Sequence, residues 1–86
     1  MYSIEFAPKA EKDFRKLPRQ TQIVLGGKID GLSFNPRGPN SKKLQGSYEI
    51  YRLRVGDYRV VYSIQDKKLV ILILRLGHRK DIYKLL

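Results

Sequence analysis

The sequence predicts an α+β domain: a strand and a two-helix hairpin, then a three-stranded antiparallel meander, the helices packed on one sheet face, and a short C-terminal tail. Three observations predict it. Apolar residues alternate at the start of the chain, they recur at helical spacing on either side of Pro18, and three strand-like runs separated by turn residues fill the second half. With 86 residues there is room for one domain, 1–86, and no second core.

From Met1 to Phe6, Tyr2, Ile4 and Phe6 fall on one side and Ser3 and Glu5 on the other, the period of a half-buried strand. Ala7-Pro8 opens a helix, because proline at the first helical position lacks only an N–H that would be unpaired anyway. Ala10, Phe14 and Leu17 form its apolar stripe. Pro18 ends that helix and begins another, whose stripe is Leu25, Ile29 and Leu32. Gly26-Gly27 weakens the second helix by about 1 kcal/mol per glycine relative to alanine, which suggests close packing at that point. Phe34 to Ser47, with Asn35-Pro36, Gly38-Pro39-Asn40 and Gly46, reads as a long loop of the kind that often carries function. Three strands follow: Tyr48 to Val55, Tyr58 to Ile64, and Leu69 to Leu76. The last is almost continuously apolar, as a central strand covered on both faces would be.

The Gly56-Asp57 pair suits a two-residue type II′ hairpin turn, since glycine supplies the positive φ at the first central position. That turn sets the register: Val55 faces Tyr58, Arg54 faces Arg59, Leu53 faces Val60 and Arg52 faces Val61. Tyr51, Leu53, Val55, Tyr58, Val60 and Tyr62 then share a core face, and Arg52, Arg54, Arg59 and Ser63 share the other. Like charges directly opposite on a sheet are destabilising. An anion held between them removes that cost, and Glu49 and Asp57 are badly placed to do so: one points to the other face and one lies in the turn. In an antiparallel meander the end of the third strand returns to Arg59, so Arg79 and Tyr83 reach the same patch, with His78 beside it.

Eighteen Lys and Arg against eight Asp and Glu give a net charge of +10, and eleven of the basic residues lie between Lys42 and Leu86. A polyanionic partner is implied, met by the C-terminal half. No cysteine is present and only one histidine, which excludes disulfides, thiolate zinc sites, a Cys nucleophile and a His-rich metal site. No cofactor is expected. The longest apolar run, Leu69 to Leu74, is too short to span a bilayer and the N-terminus has no signal-like pattern, so a cytoplasmic protein without membrane contact is expected.

Phe14-Arg15-Lys16-Leu17, Lys43-Leu44-Gln45-Gly46, Asp57-Tyr58-Arg59-Val60-Val61-Tyr62 and Gly77-His78-Arg79-Lys80-Asp81-Ile82-Tyr83, in that order and spacing, resemble the RelE toxins of bacterial and archaeal toxin–antitoxin pairs, within the wider RelE/ParE superfamily. The resemblance covers nearly the whole chain. It implies a RelE-like fold and a ribosome-dependent endoribonuclease that enters the decoding site and cleaves mRNA. It also implies restraint by a RelB-like antitoxin, through which alone operator DNA would be bound. Carried over by position, Arg59 matches the strand arginine at the scissile phosphate, Arg79 the second catalytic arginine and Tyr83 the C-terminal tyrosine; Arg52 stands at a basic position of the preceding strand. Two positions depart from the pattern: Ile50 replaces another basic strand residue, and His78 stands where some members have lysine.

Cleavage by the 2′-hydroxyl needs a base, cations for the pentacoordinate phosphate and an acid for the leaving oxygen. Arginine keeps its proton, so Arg59 and Arg79 suit phosphate stabilisation through their planar donor forks. Tyr83 or His78 is the candidate base, with the other assisting the leaving group. Lys42, Lys43, Arg54, Lys80 and Lys84 read as RNA-backbone contacts. The alternative on the same scaffold is a ParE-like inhibitor of DNA gyrase that cuts no RNA.

Overall fold

A computed structural model of the chain describes residues 1–44, 46 and 49–84. Strand β1 (Ser3–Phe6) leads into helix α1 (Pro8–Arg15) and helix α2 (Arg19–Gly31). The remaining strands are β2 (Ser41–Lys43), β3 (Ile50–Val55), β4 (Tyr58–Gln65) and β5 (Val70–His78), and a 3-10 turn over Ile82–Lys84 closes the described chain. One sheet holds all five strands in the order β1-β5-β4-β3-β2; β1 runs parallel to β5 and the other neighbours are antiparallel. No helix among the described residues is long and apolar enough to cross a membrane.

Proline stands at the start of each helix as expected, Pro8 inside the first turn of α1 and Pro18 capping α2. The joint between them would leave the last carbonyls of α1 unpaired, since a helix C-terminus has no intrahelical donors for them. The Gln22 side-chain amide adds to the pairing there, donating to the Phe14 carbonyl at 3.0 Å, which also accepts the Leu17 N–H, and to the Leu17 carbonyl just beyond the helix at 3.1 Å. Both helices lie on one sheet face. Ala10, Leu25, Ile29 and Leu32 are buried there with Leu53, Val60, Tyr62, Ile71, Ile73 and Leu76, while Phe14 and Leu17 pack at the margin. Among the described residues the opposite face carries no α-helix, and its buried apolar groups include Val61 and the tail residue Ile82, both outside the main cluster.

Four expectations change. Residues 41–43, read as part of a loop, form edge strand β2, pairing Ser41 with Leu53, Lys42 with Arg52 and Lys43 with Tyr51. A three-residue edge bearing two lysines is a common protection against sheet-to-sheet association, and it shows no alternation to betray it. The strand expected from Tyr48 begins at Ile50; Ser47 and Tyr48 lie outside the described residues. The apolar β5 is covered fully on one side only: Ile71, Ile73 and Leu76 are buried, whereas Val70, Leu72 and Leu74 are half-buried because, among the described residues, no α-helix crosses the far face. Finally, Gly26-Gly27 is not a close-packing point. A methyl group at Gly26 would meet Phe14 at an ordinary 3.9 Å, and one at Gly27 would meet nothing within 4 Å. Gly27→Ala is therefore expected to stabilise the domain by about 1 kcal/mol, raising the thermal midpoint by roughly 4–8 °C; an unchanged or lower melting temperature would contradict this.

Strand β5 carries one irregularity. Val61 pairs with Arg75 and Tyr62 with Ile73, so Leu74 is an extra residue that breaks the ladder as a bulge does. Asp13 of α1 repairs the break, accepting the Leu76 N–H at 3.1 Å and both Arg75 Nε and Nη2, at 2.8 and 3.1 Å. Burial alone would push the Asp13 carboxyl up; the Arg75 guanidinium and the Leu76 N–H outweigh it and hold the carboxyl below its ordinary value. A carboxylate whose folded value is depressed stabilises the fold above its unfolded value, about 3.9, and loses that contribution as pH falls through the folded value. Asp13→Asn is thus expected to destabilise by about 2 kcal/mol at pH 7, the size of lost hydrogen bonds to a charged group, with the gap to the parent closing below roughly pH 4. Urea unfolding at pH 7 and pH 3 measures both.

Candidate anion cleft

The β3–β4 hairpin turns at Gly56, whose φ is +56°, while Asp57 keeps a negative φ, the pattern of a type II′ turn. The register follows: Val55 pairs with Tyr58, Arg54 with Arg59, Leu53 with Val60 and Arg52 with Val61. Since the helices cover the Leu53 and Val60 side, Arg52, Arg54 and Arg59 project from the open face. On one flank β2 adds Lys42, directly across from Arg52, with Lys43 and Leu44 at the rim. On the other flank Arg59 pairs with Gly77, so the chain leaving β5 starts beside it and brings Arg79, Lys80 and Tyr83 over the same face. These side chains surround a single open cleft of about 790 Å³.

Charge is lopsided in it. Among the described lining residues seven are Lys or Arg and none is Asp, Glu or His. Arg52 and Arg54 make no side-chain hydrogen bond or ion pair among the described residues. Arg59 is 8% exposed, and its Nη1 donates to the carbonyls of Gly56 at 2.9 Å and Tyr58 at 2.8 Å. Those two bonds lay the guanidinium against the hairpin turn and leave its other N–H groups unspent on acceptors among the described residues. Arg79 donates its backbone N–H to the Asp57 carbonyl at 2.7 Å, and its Nε stands 3.6 Å from the Asp57 carboxylate, an exposed pair of small energetic weight.

The nearby carboxylates are engaged elsewhere. Arg37, in the connection before β2, donates from Nη2 to Glu49 at 3.0 Å and Asp66 at 2.9 Å, and from Nε to the Tyr51 hydroxyl at 3.0 Å. Its guanidinium also lies over the Tyr51 ring, 5.5 Å from the centroid. Glu49 takes a further bond from Lys43 Nζ at 3.1 Å, and Asp66 accepts from the Tyr2 hydroxyl at 2.5 Å. Arg37, then Lys43 and Tyr51, hold the Glu49 carboxyl below its usual range; Arg37 and Tyr2 do the same for Asp66. With the Tyr62 hydroxyl donating to the Pro36 carbonyl at 2.6 Å, the long connection is stitched to the sheet. Arg37 was not singled out from the sequence, where an isolated arginine in a loop gives no signal of three acceptors.

Of the residues expected at the site, Arg52, Arg59, Arg79 and Tyr83 line the cleft together, as do Lys42, Lys43, Arg54 and Lys80. Leu44 joins them without any sequence signal. Lys84 is exposed on the terminal turn and does not line the cleft. His78 is not in it either: it pairs with Tyr58 on the helix-covered side and meets that ring edge-on at 5.7 Å. Among the described residues no group of His, Cys, Asp or Glu is disposed to hold a metal ion.

What the arrangement can do is bind a phosphate. Several planar guanidinium forks from two strands and a following segment converge on one concave face, offering bidentate bonds to phosphate oxygens.

Comparison with known proteins gives a consistent picture. Residues 4–83 match the family model described as ParE toxin of type II toxin-antitoxin system, parDE. The chain is 34% identical to toxin RelG of Mycobacterium tuberculosis, covering 96% of this chain and 97% of that one. It is 32% identical to the mRNA interferase toxin RelE of Escherichia coli, over 92% and 84% of the respective lengths. A chain in the crystal structure of the intact E. coli RelBE toxin-antitoxin complex superposes with a TM-score of 0.80 at 30% identity, covering 91% of this chain and 96% of that one.

Proposed function

Because this chain belongs to the RelE/ParE family of type II toxin–antitoxin toxins, we propose that it is an mRNA endoribonuclease acting in the ribosomal A site and cutting translated messages at one phosphate. The observation that carries this reading is the convergence of Arg52, Arg59, Arg79 and Tyr83 on one cleft with no carboxylate among its described lining residues. Arg59 and Arg79 hold the non-bridging oxygens as negative charge builds on the pentacoordinate phosphorus, the transition-state stabilisation that preorganised donors provide. Arg52 adds a third fork. Tyr83, 53% exposed, is the lining residue that carries the 2′-hydroxyl proton transfer. The 2′-oxygen attacks phosphorus, the bond to the 5′-oxygen breaks, that oxygen acquires a proton, and a 2′,3′-cyclic phosphate and a 5′-hydroxyl result.

Lys42, Arg54 and Lys80 contact backbone phosphates on either side of the scissile one, while the Lys43 ammonium is held by Glu49. A RelB-like antitoxin restrains the toxin and supplies any contact with operator DNA; the ribosome presents the message, which places the activity in the cytoplasm. Primer extension on translated mRNA after expression is expected to reveal new 5′ ends within codons. A second reading, inhibition of DNA gyrase, is favoured by the ParE description of the matching family model. Intact messages together with blocked supercoiling would establish it in place of the nuclease.

A further inference from the structure

His78 is the one histidine of the chain, and it lies on the wrong side of the sheet for contact with RNA. Its position has another consequence. As the last residue of β5 it is fixed by the Tyr58 ring, and directly beyond it the chain bends over to the open face, where Arg79, Lys80 and Tyr83 line the cleft. Three hydrogen bonds hold that bend. His78 Nδ1 accepts the Lys80 N–H at 3.1 Å, the His78 carbonyl accepts the Asp81 N–H at 2.9 Å, and the Asp57 carbonyl accepts the Arg79 N–H at 2.7 Å. The first of these bonds is the only one of the three made by a side chain, and it has the pattern by which Asn and Asp accept an N–H two residues on and set a turn. Farther along, Ile82 is fully buried and pins the end of the segment.

We propose that His78 is a positioning residue: its imidazole acceptor sets the turn that aims Arg79 and Tyr83 into the cleft, and it exchanges no proton with the substrate. The proposal rests on the cleft being the site of RNA cleavage. Lys80 is exposed, so water replaces the lost acceptor in a variant and the domain still folds. What suffers is the aim of the two side chains, and a displacement on the order of 1 Å costs up to about 10²-fold in rate.

Two variants separate the ring from its acceptor. His78→Phe keeps the edge-on contact with Tyr58 and removes Nδ1; His78→Asn keeps a short acceptor and removes the ring. Single-turnover cleavage of ribosome-bound mRNA, binding to a message with a 2′-deoxy residue at the cut position, and hydrogen exchange of the Lys80 amide are measured for each. His78→Phe is expected to slow cleavage by about tenfold or more, to leave binding of the uncleavable message within about twofold, and to speed Lys80 exchange. His78→Asn is expected to restore both cleavage and amide protection. Cleavage equally slow in both variants, with Lys80 protected only in His78→Asn, would assign His78 to proton transfer and overturn the proposal; so would parental cleavage and protection in His78→Phe. If the parent protein itself cuts no RNA, the nuclease reading fails, while the Lys80 amide comparison still decides whether His78 sets the turn.

Discussion

Arg59→Ala is expected to lower single-turnover cleavage of ribosome-bound mRNA by about 10²- to 10³-fold, the loss seen when one preorganised transition-state donor is removed, or about 2.7–4 kcal/mol. The size follows from how this guanidinium is held. At 8% exposure, with Nη1 spent on the Gly56 and Tyr58 carbonyls, it has little freedom left to lose when a phosphate arrives. Its contribution therefore appears in the transition state more than in ground-state binding. Arg59→Lys tests this directly. Lysine keeps the charge but lacks the planar fork, so it cannot serve the turn carbonyls and the phosphate at once, and it is expected to recover less than about a tenth of the lost rate. RNA affinity should fall by no more than about tenfold in either variant, because the remaining lysines and arginines of the cleft still draw the backbone. Loss of affinity equal to the loss of rate would show that Arg59 serves binding alone.

The second large effect is expected at Tyr83. Tyr83→Phe keeps the ring and removes only the hydroxyl, and cleavage should fall by about 10²-fold or more if that hydroxyl takes the 2′ proton. A ring that merely stacks on a base would leave the rate unchanged. The terminal turn makes the substitution informative, because Ile82 and not Tyr83 is the buried residue that anchors this segment. Melting temperatures of the parent and Tyr83→Phe should coincide.

The hairpin and its arginines were legible because a single local feature, Gly56-Asp57, set every cross-strand partner that follows it, and alternation then decided which side chains face the helices. The meander also placed Arg79 and Tyr83 near Arg59, and the pairing of Arg59 with Gly77 accounts for it. Two things were not legible. Strand β2 consists of Ser41, Lys42 and Lys43, which carry neither β-branching nor alternation, and its pairing is decided by β3 rather than by its own residues. The side of the sheet taken by His78 was hidden for a different reason. The run from Leu69 to Leu74 is apolar throughout, so it gives no parity, and the extra residue at Leu74 shifts the period between Ile73 and Leu76. Counting along that strand cannot tell one face from the other. Counting from Tyr58 across the ladder does.

Strand β1 lies parallel to β5, with Ser3 opposite Val70 and Phe6 opposite Ile73. Strand β1 has β5 as its one neighbour in the sheet, so it cannot pair until β5 has been made, whereas β5 can already pair with β4. Contacts so distant along the chain slow folding, since closure entropy is spent before the pairing rewards it. A copy truncated before Val70 would leave its opening strand without a neighbour, and the basic cleft would lose its wall at Arg79 and Tyr83.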